Sequence, residues 1–302
     1  MTNASDIENS GGQRPITLPI AAWLVVLVLC WAANSVIVKF VVEDMTSSWG
    51  AFLRFLIAYP IVILFILSQK PNLKVKGRGF MLCTLLSVMT FVQIMLFNAG
   101  SQYTTGGRVT MLIFTYPLIV PFIAHILLKN EKLQRRTVIG SVIAFLGLLI
   151  PLYATLANGS PTLKGDILEF MSSLVLSLLI VTNKYAFTFM DKWTVFFWQA
   201  TLNLLLFGTA AAFSPGFSPS EVSMSGWISL GFQAIFISAF AFLSYQYILS
   251  KHNSSKVSIF FFATPLFGML FGGLLHGEAF EISLFIGCIS VGIGIFIANR
   301  ER

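Results

Sequence analysis

The chain has 302 residues, of which 56% are hydrophobic and 10% charged, and its formal net charge of +7 comes from 19 Lys and Arg against 12 Asp and Glu. A soluble protein carries about 25% charged residues, so this composition excludes a water-exposed globule, a disordered chain and a secreted disulfide scaffold. With a mean hydropathy of +0.84, it reads as a polytopic membrane protein, with apolar residues for about eight to ten spans of about 20 residues each.

Residues 1–16 are polar and read as a disordered N-terminal tail. The apolar run from Thr17 to Phe40 is longer than the 7–15 residues of a signal h-region and is taken as the first span. Further runs predict helices at 49–68, 79–98, 107–128, 136–156, 166–187, 193–213, 226–249, 256–275 and 282–298. Gly and Pro punctuate the connections, as in Asn158-Gly159-Ser160-Pro161 and Ser214-Pro215-Gly216. Continuous runs such as Leu24 to Leu29 lack the apolar/polar alternation of a transmembrane barrel, and helices satisfy every backbone group within the segment.

Ten spans place both termini on one side. With that side cytoplasmic, fifteen of the Lys and Arg fall on inside segments, two (Arg108 and Lys164) fall outside, and Lys39 and Arg54 lie within or at the edge of spans. This is a strong positive-inside bias. The basic residues form short groups between spans rather than one basic face, so no nucleic-acid partner is expected. Cys30, Cys83 and Cys288 lie in apolar runs, and the His residues show no metal-ligand spacing. Neither a metal nor a cofactor is expected.

The two halves repeat. Glu131 and Glu278, Gly140 and Gly287, and Gly147 and Gly294 are each 147 positions apart, and Tyr116-Pro117-Leu118 matches Thr264-Pro265-Leu266 at 148. Two copies of five spans enter the membrane from opposite sides, the arrangement of an inverted-topology repeat with its substrate site between the halves. The expected fold is therefore an all-α membrane protein of ten transmembrane helices. Residues 17–156 form the first repeat and 157–302 the second.

These residues, with Trp31-Ala32-Ala33-Asn34 and Lys39 on the first span, Arg54-Phe55-Leu56-Ile57-Ala58 on the second and Gly165-Asp166 opening the second half, resemble the EamA type of the drug/metabolite transporter superfamily. The resemblance covers nearly the whole chain after residue 17. It implies two five-helix halves and transport of a small metabolite, with the cargo left open.

Polar groups inside spans are costly and mark packing or function. Asn34, Gln93, Asn98, Gln199, Asn203 and Gln246 are amides within apolar helices, each serving either a cavity or an interhelical hydrogen bond. Asn98 and Gln246 correspond at 148 positions, and Gln199 and Asn203 share a helix face. Pro117 and Pro265 are expected to kink the fourth and ninth spans, with Tyr116 and Thr264 beside the freed carbonyls as cavity candidates. Arg54 is either an anion anchor, since a guanidinium forks onto two oxygens, or a structural tie. Lys39 and Glu169 are candidates for ion coupling. Glu131 and Glu278 are expected to bond helix-end donors or nearby basic groups.

The leading expectation is a secondary carrier of small amphipathic metabolites, amino acids or related compounds, exporting across the cytoplasmic membrane by alternating access. Its partners are a small-molecule substrate and the bilayer, with proton coupling and oligomeric state open. Alternatives are uptake of a metabolite or vitamin by the same fold, a passive channel or a membrane-embedded enzyme. The chain has neither an HExxH nor a G-x-S-x-G motif, and no G-x-x-x-x-G-K-[ST] phosphate loop, so an enzyme or an ATP-driven pump is not expected.

Overall fold

A computed structural model describes residues 16–128, 131–157, 162–252, 254–278 and 282–299. The tail before Ile16, the 158–161 turn and the charges at Arg14, Lys129, Arg300 and Arg302 lie outside the described residues. Among the described residues every regular element is helical. The helices are α1 (Leu18–Asp44), α2 (Ser47–Ser68), α3 (Arg78–Ser101), α4 (Gly106–Ile113), α5 (Tyr116–Leu127), α6 (Arg135–Ala157), α7 (Leu163–Ala186), α8 (Lys192–Ala212), α9 (Met224–Phe232), α10 (Phe242–Lys251), α11 (Ser254–Ile259), α12 (Thr264–His276) and α13 (Ile282–Asn299). Seven helical stretches are long and apolar enough to cross a membrane, with Gly106–Leu127 and Met224–Lys251 each counted as one. Thr264–His276 and Phe285–Gly294 are shorter apolar helices. Large apolar side chains such as Leu64, 71% exposed, face outward, as a lipid-facing surface requires.

Short polar caps set the helix starts. Thr46 accepts from the Trp49 amide at 3.4 Å to open α2, and Asp191 accepts from those of Trp193 and Thr194 at 2.9 and 3.2 Å to open α8. Ser223 caps α9 and also donates to Asp44 at 2.6 Å, which ties the end of α1 to the start of α9.

Three expected spans are not single α-helices. The 107–128 run divides at Phe114–Thr115 into α4 and α5, and the 256–275 run divides at a 3-10 turn, Phe260–Ala263, into α11 and α12. Pro117 and Pro265 stand in the first positions of α5 and α12. Each lacks an N–H and crowds the carbonyl four residues back. The result is a break with a fresh helix start, where a first-turn proline is well tolerated, rather than the expected kink. The 226–249 run contains a π-helical segment, Gln233–Ala241, between α9 and α10; its wider turns re-aim the side chains around it.

Helix pairings come in sets related by exchange of the two halves. α4 packs on α12 and α11 on α5; α5 packs on α7 and α12 on α1; α3 packs on α8 and the π segment on α2; α6 packs along α13. Gly140, Gly147, Gly287 and Gly294 are all buried. Where α3 crosses α7, a Cβ on Gly165 would sit 2.8 Å from the Gly100 carbonyl oxygen and the Thr104 nitrogen. Gly165→Ala is therefore expected to cost about 1–3 kcal/mol, read as a lower thermal midpoint in detergent. Gly231→Ala, where a Cβ meets nothing within 4 Å, is the neutral comparison.

Candidate functional site

Two adjoining hollows occupy the centre of the bundle and share Gln93 and Phe242 as walls. The first has a cavity volume of about 80 Å³. Trp31, Asn34 and Ser35 of α1, Arg54 of α2, Gln93 and Phe97 of α3, Phe114, Tyr116 of α5, Ile180 of α7 and Tyr245 of α10 line it. The second, about 50 Å³, is bounded by Tyr59 of α2, Thr90 of α3, Asn183 of α7, Gln199 and Asn203 of α8, Ser238 of the π segment and Gln246 of α10. Both halves of the chain contribute to each.

The walls are aromatic with isolated polar groups. Trp31 meets the rings of Phe242, Tyr245 and Phe261 edge-on, with centroids 5.9, 5.5 and 5.1 Å apart. Such tilted pairs add packing energy beyond their buried area. The side-chain oxygens of Asn34, Asn183, Asn203 and Gln246 are buried without a hydrogen-bond partner, an expensive state unless a ligand or water meets them. Gln93 is engaged: its Nε2 donates to Ser172 Oγ at 3.0 Å, and that hydroxyl donates to the Gln93 carbonyl at 2.9 Å. Arg54 is 4% exposed and donates from Nε to Ser238 Oγ at 2.5 Å.

The structure thus brings Asn34, Arg54, Gln93 and Tyr116 to the first hollow and Gln93, Gln199, Asn203 and Gln246 to the second. Four other candidates lie elsewhere. Asn98 donates to the Ser47 carbonyl at 3.2 Å and fixes α3 against the start of α2. Thr264 is fully buried at the start of α12, outside both linings. Glu169 sits between α3 and α7 and accepts from Ser101 Oγ at 3.1 Å. Lys39 pairs with Glu278 at 3.3 Å.

Reasoning from sequence passed over Trp31, Ser35, Asn183, Ser238 and Tyr245. A second register would have found Asn183: Asn34 and Asn183, Trp49 and Trp198, and Arg54 and Asn203 are each 149 positions apart. Ser238 carries no such signal, because its orientation depends on the π segment.

Two glutamates cap helix starts across the two halves reciprocally. Glu278 accepts from the backbone amides of Gly106 and Gly107 at 2.6 and 3.1 Å, so the second half caps α4 of the first. Glu131 accepts from the Ser254 amide at 3.3 Å and from its hydroxyl at 2.5 Å, so the first half caps α11 of the second. Carboxylates suit these ends because the first-turn amides are unpaired and carry the positive end of the helix dipole. Gly277, at φ +62°, ends α12 in the left-handed conformation and delivers Glu278 to α4. Glycines also allow the approach, since a Cβ on Gly272 would meet the Glu278 carboxylate and one on Gly268 would meet Thr110. Lys184 adds a tie of its own, donating to the carbonyls of Leu249 and His252 at 2.6 Å each.

Apolar helices around a polar interior make this a multi-pass integral membrane protein. The EamA-like transporter family matches the chain twice, over residues 18–153 and 163–300, and the chain belongs to that family, within the drug/metabolite transporter superfamily. It is 23% identical over 278 residues to the uncharacterized transporter YoaV of Bacillus subtilis, covering 91% of this chain and 94% of YoaV. It is 27% identical over 283 residues to the uncharacterized transporter YetK of the same organism, covering 89% and 83%. A protein of Salmonella typhimurium named a probable amino-acid metabolite efflux pump is 19% identical over 280 residues, covering 90% and 91%. A crystal structure superposes with a TM-score of 0.70 at 14% identity, over 94% of this chain and 98% of the other, a likeness of fold.

Proposed function

We propose that this transporter is a secondary carrier for small amphipathic metabolites, amino acids or related compounds, and that it exports them across the cytoplasmic membrane. Residues 17–156 and 157–302 act as two five-helix repeats of opposite orientation, with both termini inside, and rock about the central space to expose it to each side in turn. The observation that carries this reading is the pair of adjoining hollows: unpartnered amides and aromatic rings from both halves line them, where an inverted repeat locates its substrate. The reciprocal caps and the paired helix contacts support the same exchange symmetry. The resemblance to a named efflux protein favours export.

The test is counterflow in proteoliposomes. Vesicles preloaded with an unlabelled amino acid or metabolite are expected to accumulate the labelled compound transiently and saturably for at least one member of a broad panel. Flux that is linear in concentration, or no counterflow across the panel, overturns the proposal. Asn203→Leu, which replaces a lining amide with an apolar group, is expected to raise KM or lower kcat at least tenfold while leaving the thermal midpoint near that of the unaltered protein.

A further inference from the structure

Among the described residues lining the two hollows the sole charged side chain is Arg54. Arg108, also buried, pairs with Asp166 at 3.2 Å, and Lys39 pairs with Glu278 at 3.3 Å. No described carboxylate lies within ion-pairing distance of Arg54. A guanidinium has five N–H donors in a planar fork. One of them reaches Ser238, and the Phe55 ring lies 5.9 Å from the guanidinium carbon. A cation buried this far from water is strongly disfavoured unless something negative meets it.

The surroundings limit what that can be. A carboxylate offers two oxygens to the remaining Nη groups in the bidentate geometry that makes such pairs strong. Trp31, Phe242 and Tyr245 supply an aromatic wall in the same cavity. Among the described residues neither lining contains an Asp or Glu to meet an ammonium group. We infer that the central site takes a carboxylate-bearing ligand of net charge −1 with an apolar, aromatic-sized body. Arg54 holds the carboxylate, and the rings of Trp31, Phe242 and Tyr245 hold the body. This inference rests on the hollow being the transport site and narrows its substrate from amphipathic compounds generally to organic monoanions, ahead of zwitterions and amines.

The experiment is direct binding to the purified full-length protein in phosphatidylcholine nanodiscs, where no anionic lipid competes. Radiolabelled 3-phenylpropionate is the probe, displaced by unlabelled 3-phenylpropionate, its neutral amide, phenylalanine and phenethylamine. The acid is expected to displace the probe at least tenfold more effectively than the amide or phenylalanine, with phenethylamine inactive. Arg54→Gln is expected to weaken binding at least tenfold and Arg54→Lys less. Equal displacement by acid and amide overturns the inference, as does binding by Arg54→Gln within twofold of the unaltered protein. The ligand series on the unaltered protein decides the matter if Arg54→Gln fails to fold. Absence of probe binding in a protein that shows counterflow of another compound overturns this inference and leaves the carrier reading standing. Acid-selective binding without counterflow of any compound in the panel upholds the site and overturns the carrier reading.

Discussion

Glu278→Ala is expected to lower stability by about 1–3 kcal/mol, because a half-buried carboxylate that accepts two helix-start amides and pairs with Lys39 is lost. The substitution leaves the Gly106 and Gly107 amides without their acceptor at the start of α4 and strips Lys39 of its counter-charge. Glu278→Gln keeps an acceptor oxygen for one amide and is expected to lose about half as much. Thermal unfolding in detergent, followed by helical signal, gives the comparison. Adding Lys39→Met to Glu278→Ala is expected to recover part of the loss, because it removes the stranded cation. An unchanged midpoint in Glu278→Ala rules out a stabilising cap. Glu131→Ala tests the opposite end, where Ser254 loses its partner.

The second large effect is expected at Asp166. Its two oxygens receive Thr104 Oγ1 at 2.6 Å and Arg108 Nη1 at 3.2 Å, and the residue is buried beside the α3–α7 crossing. Asp166→Ala strands a buried guanidinium and is expected to cost about 3–5 kcal/mol. Asp166→Asn retains an acceptor for Thr104 and is expected to cost less. The same unfolding measurement separates the two, and equal midpoints for the variants dismiss the charge as the source of the effect.

Much of the architecture was legible because hydrocarbon imposes simple rules. Long apolar runs become helices, and the run from Thr17 and those at 49–68 and 79–98 correspond to α1, α2 and α3 within a few residues. The amides chosen for their cost in lipid include five that line the hollows, Asn34, Gln93, Gln199, Asn203 and Gln246. What escaped reading depends on backbone irregularity. Hydropathy over 107–128 and 256–275 is continuous across the breaks, so composition reports one span where a proline starts a second helix. The π segment leaves no residue signature, yet it sets Ser238 against Arg54. Asn98 and Gln246 match in register but have different tasks: one carries a neighbouring helix, and the other lines the hollow. Burial cost identifies polar residues that must have a partner without saying whether that partner is protein or ligand.

The crossed glutamates also order events during synthesis. The amides of Gly106 and Gly107 wait for an acceptor 172 and 171 residues downstream, so the start of α4 stays unsealed until almost the whole chain has left the ribosome. Ser254, by contrast, emerges when Glu131 is already in the bilayer. A nascent chain halted between the two is an incomplete assembly with one lock fastened and the other open.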